Sequence, residues 1–413
     1  MSARGLPPLQ PVQRISRPLS TPEFYHACVG THPRTLEVRR EARISLLCTG
    51  TVDEQRLRDA LRQVADANPG ACLRLRRDTW PVRWESDGPP PRLRVVEGCD
   101  WDARSEQGAE FIGAEPLSLE DGPSIELILA RRTDGDTTLV LRTFHAVMDG
   151  GGFMHFYREL FRALRGEPLL GTNAAFSDVE LMRSTGVRHS LSRHIPTCGL
   201  MGEPAGTATG DEWRRISLRG AQPQILARCA VAMAAFAHQR SERTALIAVP
   251  VDLRRHAPGL LSTTNFSAML LVPLQPGDGV EAFRTRLAEM LAGRMETVFP
   301  RWLDGVRRLP LAWLDRLVSR TRANYTRRRP LETLVVSNMG RYASAEYSCP
   351  GLRLQTLVPE PLPGSAFSAL AGVDDRVELI INLPRVLGDQ GRFDALVAYL
   401  RVRLNGESVQ ATH

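Results

Sequence analysis

An extended run that passes directly into an amphipathic helix is the feature of this sequence that most limits how the chain can fold. The segment is "DTTLVLRTFHAVMDGGGFMHFYRELFRALRG", residues 136–166. Its first part is apolar and β-branched, which is typical of a strand. Its last part repeats apolar side chains every three or four positions and stops at Gly166, which is typical of a helix. The segment therefore predicts an α/β protein with His145 and Asp149 at a strand-to-helix junction.

The first half of the chain repeats this mixture of strands and helices. The run "EARISLLCTG" predicts a strand, and "VDEQRLRDALRQVADANPG" predicts a helix with Leu57, Leu61 and Val64 on one face. The runs "SIELILARR" and "DTTLVLRTF" predict a hairpin that turns at Asp134–Gly135. The second strand of this hairpin leads the chain to His145.

The second half has the same mixed pattern. It predicts a helix at "QILARCAVAMAAFAHQR", strands at "TALIAVPVDLRR" and "NFSAMLLVPL", helices near 280–293 and 309–325, a strand ending in "LVVSNMG", a hairpin turning at Asp374–Asp375 and a closing helix at "RFDALVAYLRVRL".

The stretch between the two halves, residues 166–210, is rich in Gly, Pro, Ser and Thr and has little periodicity, so it suits a connection between domains. A chain of 413 residues has room for two domains of about 200 residues each. We therefore predict one subdomain over 1–170, a connecting segment over 171–210 and a second subdomain over 211–413.

The basic side chains are all arginine, because the 53 Lys+Arg residues include no lysine. Chemistry that needs an amine is excluded: no lysine can form a Schiff base or reach a nucleotide phosphate from a P-loop. Arginine binds anions but cannot act as a base. The net charge of +7 favours acidic partners. The densest basic stretch, 319–330, contains a single aromatic residue and no nucleic-acid motif, so we do not expect nucleic-acid binding.

The sequence has no recognisable targeting or membrane segment. Its first 20 residues, "MSARGLPPLQPVQRISRPLS", lack the apolar run of a secretory signal. No apolar stretch approaches the roughly 20 residues that span a bilayer. The seven cysteines are scattered without a C-x-x-C pair, which favours reduced thiols over zinc ligands or disulfides. We expect a cytoplasmic, monomeric protein.

His145 is the residue best suited to catalysis. An imidazole near its ordinary pKa of about 6.5 can take a proton from a nucleophile and return it to a leaving group. Asp149 can hold in place the loop that carries His145. A histidine and an aspartate at this spacing also occur as purely structural residues. A metal site formed by His145, Asp149 and His155 is a further interpretation, but the glycines interrupt the helix that would align these ligands, and we expect no metal.

The sequence resembles the chloramphenicol acetyltransferase-like superfamily, which includes nonribosomal peptide condensation domains and polyketide-associated acyltransferases. "HAVMDG" matches its H-x-x-x-D-G signature. Three further segments resemble the family in the same order along the chain: "VDEQRLRDALRQVADANPGACLRLR", "ALIAVPVDLRRH" and "TTNFSAMLLVPL". The resemblance spans about residues 45–385. It implies an α/β fold of two mixed-sheet subdomains in a V, with an active-site tunnel between them.

The resemblance also implies roles for individual residues. His145 would be the general base, Asp149 a structural residue held by Arg254, and Gly150 the residue that keeps the donor channel open. An oxyanion donor is also required. The polar candidates in the second half are Asn265, Ser337 and Asn338.

Phe144 is a departure from condensation domains, which usually carry two adjacent histidines. This shifts the resemblance toward stand-alone acyltransferases of secondary metabolism, which often form esters. The predicted reaction moves an acyl group directly from coenzyme A or a phosphopantetheinyl carrier protein, as co-substrate, to an alcohol or amine, without a bound cofactor. The alternatives are a free-standing, amide-forming condensation enzyme of nonribosomal peptide assembly and a catalytically idle module that recruits a carrier or partner protein.

Overall fold

The computed structural model describes residues 6–28, 41–187, 196–204, 207–300, 303, 305, 309–310, 313, 332–360 and 364–405. The described strands, in chain order, are β1 (Ser16–Pro18), β2 (Glu41–Gly50), β3 (Arg74–Arg76), β4 (Arg83–Glu85), β5 (Arg92–Cys99), β6 (Ile125–Arg132), β7 (Thr137–Phe144), β8 (Asp211–Arg219), β9 (Ala245–Asp252), β10 (Ser267–Leu274), β11 (Leu334–Tyr342), β12 (Leu352–Glu360), β13 (Phe367–Val373) and β14 (Arg376–Pro384).

The described α-helices are α1 (Thr21–Cys28), α2 (Glu54–Ala67), α3 (Gly150–Arg165), α4 (Asp178–Ser184), α5 (Ile225–His238), α6 (Val280–Ala292), α7 (Arg385–Gly388) and α8 (Arg392–Asn405). Among these residues, no helix combines the length and the apolar character needed to cross a bilayer.

The strands form three sheets. A five-stranded sheet has the order β12-β2-β7-β6-β5, and a six-stranded sheet has the order β10-β9-β11-β13-β14-β8. Both are mixed: β5 runs parallel to β6, and β11 runs parallel to both β9 and β13. A small antiparallel sheet of β1, β4 and β3 lies beside the first half. The α/β class and the two mixed-sheet halves predicted from the sequence are confirmed.

The strand-to-helix junction is held by the side chain of Tyr157. The hydroxyl of this buried α3 residue donates to the carbonyl of Ile44 on β2 (2.7 Å) and accepts from the N–H of Leu141 on β7 (2.9 Å). It thus satisfies backbone groups of two neighbouring strands and ties α3 to the sheet. The predicted helical face of α2, formed by Leu57, Leu61 and Val64, is buried in the same core as α3.

Strand β12 crosses from one half to the other. It pairs antiparallel with β2, from Leu352 opposite Gly50 to Glu360 opposite Arg43, and so forms the edge of the first sheet. Residues 352–360 come from the second half of the chain, so a strand of that half completes the first sheet. The physical reason is that β12 pairs with the open edge of β2 and buries Leu354, Leu357 and Val358.

The structure contains some of the remaining predicted elements, and others lie outside the described residues. The predicted hairpins at Asp134–Gly135 and Asp374–Asp375 are present as β6–β7 and β13–β14. The connecting segment contains α4, whose Ser177–Glu180 capping box was not recognised in the sequence. The basic stretch 319–330 lies outside the described residues, as does most of the helix predicted over 309–325.

Candidate active site

His145 follows directly after the last residue of β7, and α3 begins five residues later. The turn between them is closed by the N–H of Val147, which donates to the carbonyl of Phe144 (2.9 Å). Asp149 caps α3, because its side chain accepts from the N–H of Gly152 (2.7 Å). The helix begins here because aspartate is a favoured cap residue.

The carboxylate of Asp149 faces the second half, and both of its oxygens accept hydrogen bonds. Oδ1 accepts from Gly152 and from a guanidinium N–H of Arg254, and Oδ2 accepts from a second N–H of Arg254 and from the N–H of Phe266 (2.7 Å). Burial alone would raise the pKa of Asp149, but Arg254 and the two backbone donors outweigh it and hold the pKa below its ordinary value. Asp149 therefore joins the two halves as an ionised group.

Arg254 is the matching residue of the second half. Besides Asp149, its guanidinium donates to Asp252 (3.0 Å), to the carbonyl of Ser262 (3.2 Å) and to that of Thr264 (2.7 Å). Burial opposes its charge, but the two carboxylates outweigh burial and raise the pKa of Arg254. This set of contacts holds residues 252–264 against the start of α3.

The glycines after Asp149 allow this close approach. A Cβ on Gly152 would clash with the backbone carbonyl of Thr263, which cannot move aside easily. A Cβ on Gly150 would meet the side chain of Met339 instead, at 2.6 Å from Sδ. Met339 lies on β11. Three parts of the second half therefore meet the start of α3: the segment with Arg254, the segment with Thr263, and Met339.

The His145 side chain contacts Asn265. Asn265 Nδ2 donates to the His145 carbonyl (2.8 Å) and lies 3.3 Å from its Nδ1. The Oδ1 atom of Asn265 accepts from the N–H and the hydroxyl of Ser267, which fixes the orientation of the amide. The amide is buried and engaged at both ends, so Asn265 holds His145 in place. It is a poor candidate for the oxyanion donor suggested by the sequence.

The first half supplies a second neighbour of His145 that sequence reasoning missed. The ring of His26, on α1, stacks on the ring of His145 with centroids 4.3 Å apart and an angle of 13° between the planes. The segment "STPE", residues 20–23, carries the signature of a helix start and could have revealed α1. Nothing in the sequence indicates that this helix reaches His145, 119 positions further along the chain (145 − 26).

The other two predicted oxyanion candidates lie on β11. Asn338 is exposed, and its Oδ1 accepts from the N–H of Gly340 at a bulge in the strand (3.1 Å). Ser337 is half-buried, pairs with Ala369 of β13 and lies two residues before Met339, just ahead of the bulge.

His155 has a structural environment. Its buried Nε2 donates to the carbonyl of Gly171 (2.9 Å) and lies 3.2 Å from Oδ1 of Asn68. Burial lowers its pKa, so a neutral ring is favoured there. Within the described ranges, no cluster of three or more His, Cys, Asp or Glu side chains is arranged to hold a metal ion. The grouping of His145, Asp149 and His155 as ligands is not formed, because Asp149 is engaged by Arg254.

Comparisons with known proteins identify the fold. No family model matches the sequence, and no curated protein matches it. Among solved structures, the chain is similar to the first condensation domain of the calcium-dependent antibiotic synthetase in complex with a substrate analogue, with a TM-score of 0.68 and 18% identity over 95% of this chain and 96% of that one. It is also similar to a variant of the starter condensation domain of rhizomide synthetase in complex with C8-CoA and Leu-SNAC, with a TM-score of 0.63 and 15% identity over 96% and 95% of the two chains.

These similarities extend over nearly the whole of each chain. The chain therefore has the two-subdomain fold of condensation domains, as the sequence resemblance implied. At this level of identity, the likeness establishes the fold, and the chemistry has to be argued from the side chains.

Proposed function

We propose that the chain is an acyltransferase that moves an acyl group from a thioester to a hydroxyl or amine acceptor, with His145 as the general base. The observation that carries this proposal is the placement of His145. Its ring lies at the junction of the two halves, stacked on His26 of the first half and adjacent to Asn265 of the second. A histidine with a fixed orientation between two halves suits a reaction that brings two substrates together.

The proposed reaction is a direct transfer. The imidazole of His145 takes the proton of the acceptor O–H or N–H as the acceptor atom attacks the thioester carbonyl. The resulting tetrahedral intermediate carries a negative oxygen, and its collapse breaks the C–S bond. The imidazolium returns the proton to the sulfur, so that a thiol and an ester or amide leave. No acyl-enzyme is required, and the absence of lysine from the sequence removes one class of covalent nucleophile.

Asp149, Arg254 and Asn265 have supporting roles in this proposal. The pair of Asp149 and Arg254 fixes the junction, and Asn265 positions the His145 main chain and ring. Ser337 is the oxyanion candidate that we retain, because it is half-buried on β11 two residues before Met339, the residue whose side chain a Cβ on Gly150 would meet. Asn338 is exposed and engaged at the β11 bulge, so we assign it no catalytic role.

Two thioesters are proposed as donors: acyl-coenzyme A and an acyl group on a phosphopantetheinyl carrier protein. The rhizomide synthetase domain binds C8-CoA and Leu-SNAC in its crystal structure, which supports thioester donors for this fold. Arginine side chains suit the phosphates of coenzyme A and the acidic surface of a carrier protein equally. Phe144 in place of a second histidine favours a hydroxyl acceptor and an ester product.

Amide formation is the second candidate function. The observation that favours it is that the two structures named above are condensation domains, one of the calcium-dependent antibiotic synthetase and one of rhizomide synthetase. An amine acceptor and a strict need for a carrier protein would distinguish it from ester formation. An idle recruitment module is less well supported, because docking of a carrier or partner protein does not require a histidine whose ring is held by neighbouring side chains.

The test is thiol release by the purified protein with acyl-coenzyme A and acyl-carrier-protein donors and pooled alcohols and amines, with products followed by mass spectrometry. His145→Ala should lower turnover by about 10²- to 10⁴-fold while the protein stays folded. The matched control is His238→Ala, which removes a histidine at the end of α5 whose Nε2 contacts the carbonyl of Arg243. Equal turnover by the wild type and His145→Ala would contradict the proposed mechanism.

A further inference from the structure

We propose that His26 is a positioning residue that fixes the plane of the His145 imidazole. This inference deepens the proposed function and rests on it, because a fixed ring plane matters only if His145 exchanges protons with a substrate. His26 lies on α1, outside every segment through which the sequence resembles an acyltransferase. Its role is therefore inferred from contacts alone.

The two neighbours of His145 restrain its ring in different directions. Asn265 lies at the edge of the ring, 3.3 Å from Nδ1, and limits motion within the ring plane. His26 lies against one face, 4.3 Å away between centroids and within 13° of parallel, and limits rotation out of that plane. Together they restrain the His145 ring both within its plane and out of it. A base held within about 10–20° of its productive direction is what efficient proton transfer requires.

Helix α1 is anchored firmly enough to provide this restraint. Ser20 and Glu23 form reciprocal bonds at its start: the Ser20 N–H donates to Glu23, and the Glu23 N–H donates to the Ser20 hydroxyl. Arg17 binds the carboxylate of Glu23 through two hydrogen bonds of 2.7 Å. Phe24, on the same helix, is fully buried in the core of the first half. His26 is thus presented by a helix that is fixed at its start and along its inner face.

The proposed role depends on the flat aromatic ring of His26, and this can be tested. His26→Phe keeps a ring that can stack, whereas His26→Leu keeps bulk and helix propensity but removes the ring. Stacking between two aromatic rings stabilises their relative orientation. We therefore expect His26→Leu to lower kcat by roughly 2- to 10-fold with KM unchanged. His26→Phe should restore most of the lost turnover. His238→Leu is the matched control and should match the wild type.

A second measurement does not depend on activity. Diethyl pyrocarbonate acylates exposed imidazoles, and mass spectrometry of the peptide containing His145 gives the rate at that residue. His145 should be modified faster in folded His26→Leu than in the wild type, and His26→Phe should return the rate toward the wild-type value. Equal modification rates in all three proteins would overturn the inference, as would a His26→Phe variant that is as slow in turnover as His26→Leu.

The two failures can be told apart. If transfer requires His145 but is unaffected in His26→Leu, the positioning role is wrong and the proposed function stands. If His145→Ala retains full turnover, the proposed function fails whatever the modification rates show.

Discussion

Asp149 and Arg254 show how one ion pair can hold the two halves at the candidate site. The carboxylate accepts four hydrogen bonds, two of them from Arg254, and both side chains are largely removed from solvent. A buried pair of this kind adds little net stability relative to an apolar pair, but removing one partner leaves an unpaired buried charge. The pair therefore secures the geometry of the junction.

We predict that Asp149→Asn lowers the free energy of unfolding by about 3–5 kcal/mol, because Arg254 keeps its charge without its buried partner. Asp252→Asn is the matched control on the same arginine. The Asp252 side chain is 53% exposed, so its pair with Arg254 is screened by solvent. That variant should lose only about 0–1 kcal/mol. Urea unfolding of the two variants measures the difference, and equal losses would contradict the assignment.

At the scale of elements, the glycines at the start of α3 have different neighbours and should respond differently to substitution. A methyl group on Gly152 would meet the rigid carbonyl of Thr263, whereas one on Gly150 would meet the flexible side chain of Met339. Gly152→Ala should therefore destabilise the protein by about 1–3 kcal/mol, the usual cost of overpacking. Gly150→Ala should cost clearly less. Thermal melts of both variants test this, and a larger loss for Gly150→Ala would contradict it.

Helices α1 and α4 meet through a buried acidic pair that makes stability depend on pH. Burial, followed by the charge of Glu23, raises the pKa of Asp178 to about 7. An unfolded aspartate has a pKa of about 3.9. Between these values the folded chain binds a proton that the unfolded chain does not, so the folded state loses stability as the pH rises from about 4 to 7.

Asp178→Asn should remove this pH dependence, because an amide resembles the protonated carboxyl and does not ionise. Melting temperatures measured from pH 5 to 8 should show the variant gaining stability relative to the wild type as the pH rises. If the difference between the two proteins stays constant across this range, Asp178 does not titrate as proposed.

The elements that the sequence predicted well are those with strong local signals. The spacing of Leu57, Leu61 and Val64 predicted α2, and Asp134–Gly135 predicted the turn between β6 and β7. The short strands β1 and β4 were not predicted, since three residues carry no readable period. Strand β12 was also missed, and its pairing with β2 is a tertiary contact that local pattern does not encode.

The same limit applies to the candidate site. His145, Asp149 and Arg254 were predicted through the resemblance of their motifs. Asn265 was named in the sequence analysis but as an oxyanion donor, because the bonds from Ser267 that fix its amide cannot be read from a single strand. His26 was missed altogether, since its stacking on His145 depends on how α1 packs against the first half.

At the scale of the whole molecule, β12 makes the two halves interdependent. It completes the first sheet from within the second half of the chain, and a further core cluster joins the two sheets through residues such as Val140, Val358 and Ile380. Without the second half, the edge of β2 would be unpaired and open to association with other chains.

Residues 1–210 expressed alone should therefore not behave as a monomeric domain. Coexpression with residues 211–413 should restore a 1:1 complex, which size-exclusion chromatography with light scattering would detect. A monodisperse, cooperatively folded 1–210 fragment would contradict the dependence on β12.

The most direct test of the central claim is acceptor-dependent thiol release by the wild type and His145→Ala, measured with both donor classes. The account predicts release that requires an acceptor and falls by about 10²- to 10⁴-fold in His145→Ala, with an ester or amide product in the mass spectrum. Release that is the same in both proteins, or none from either donor in the presence of bound carrier protein, would contradict it.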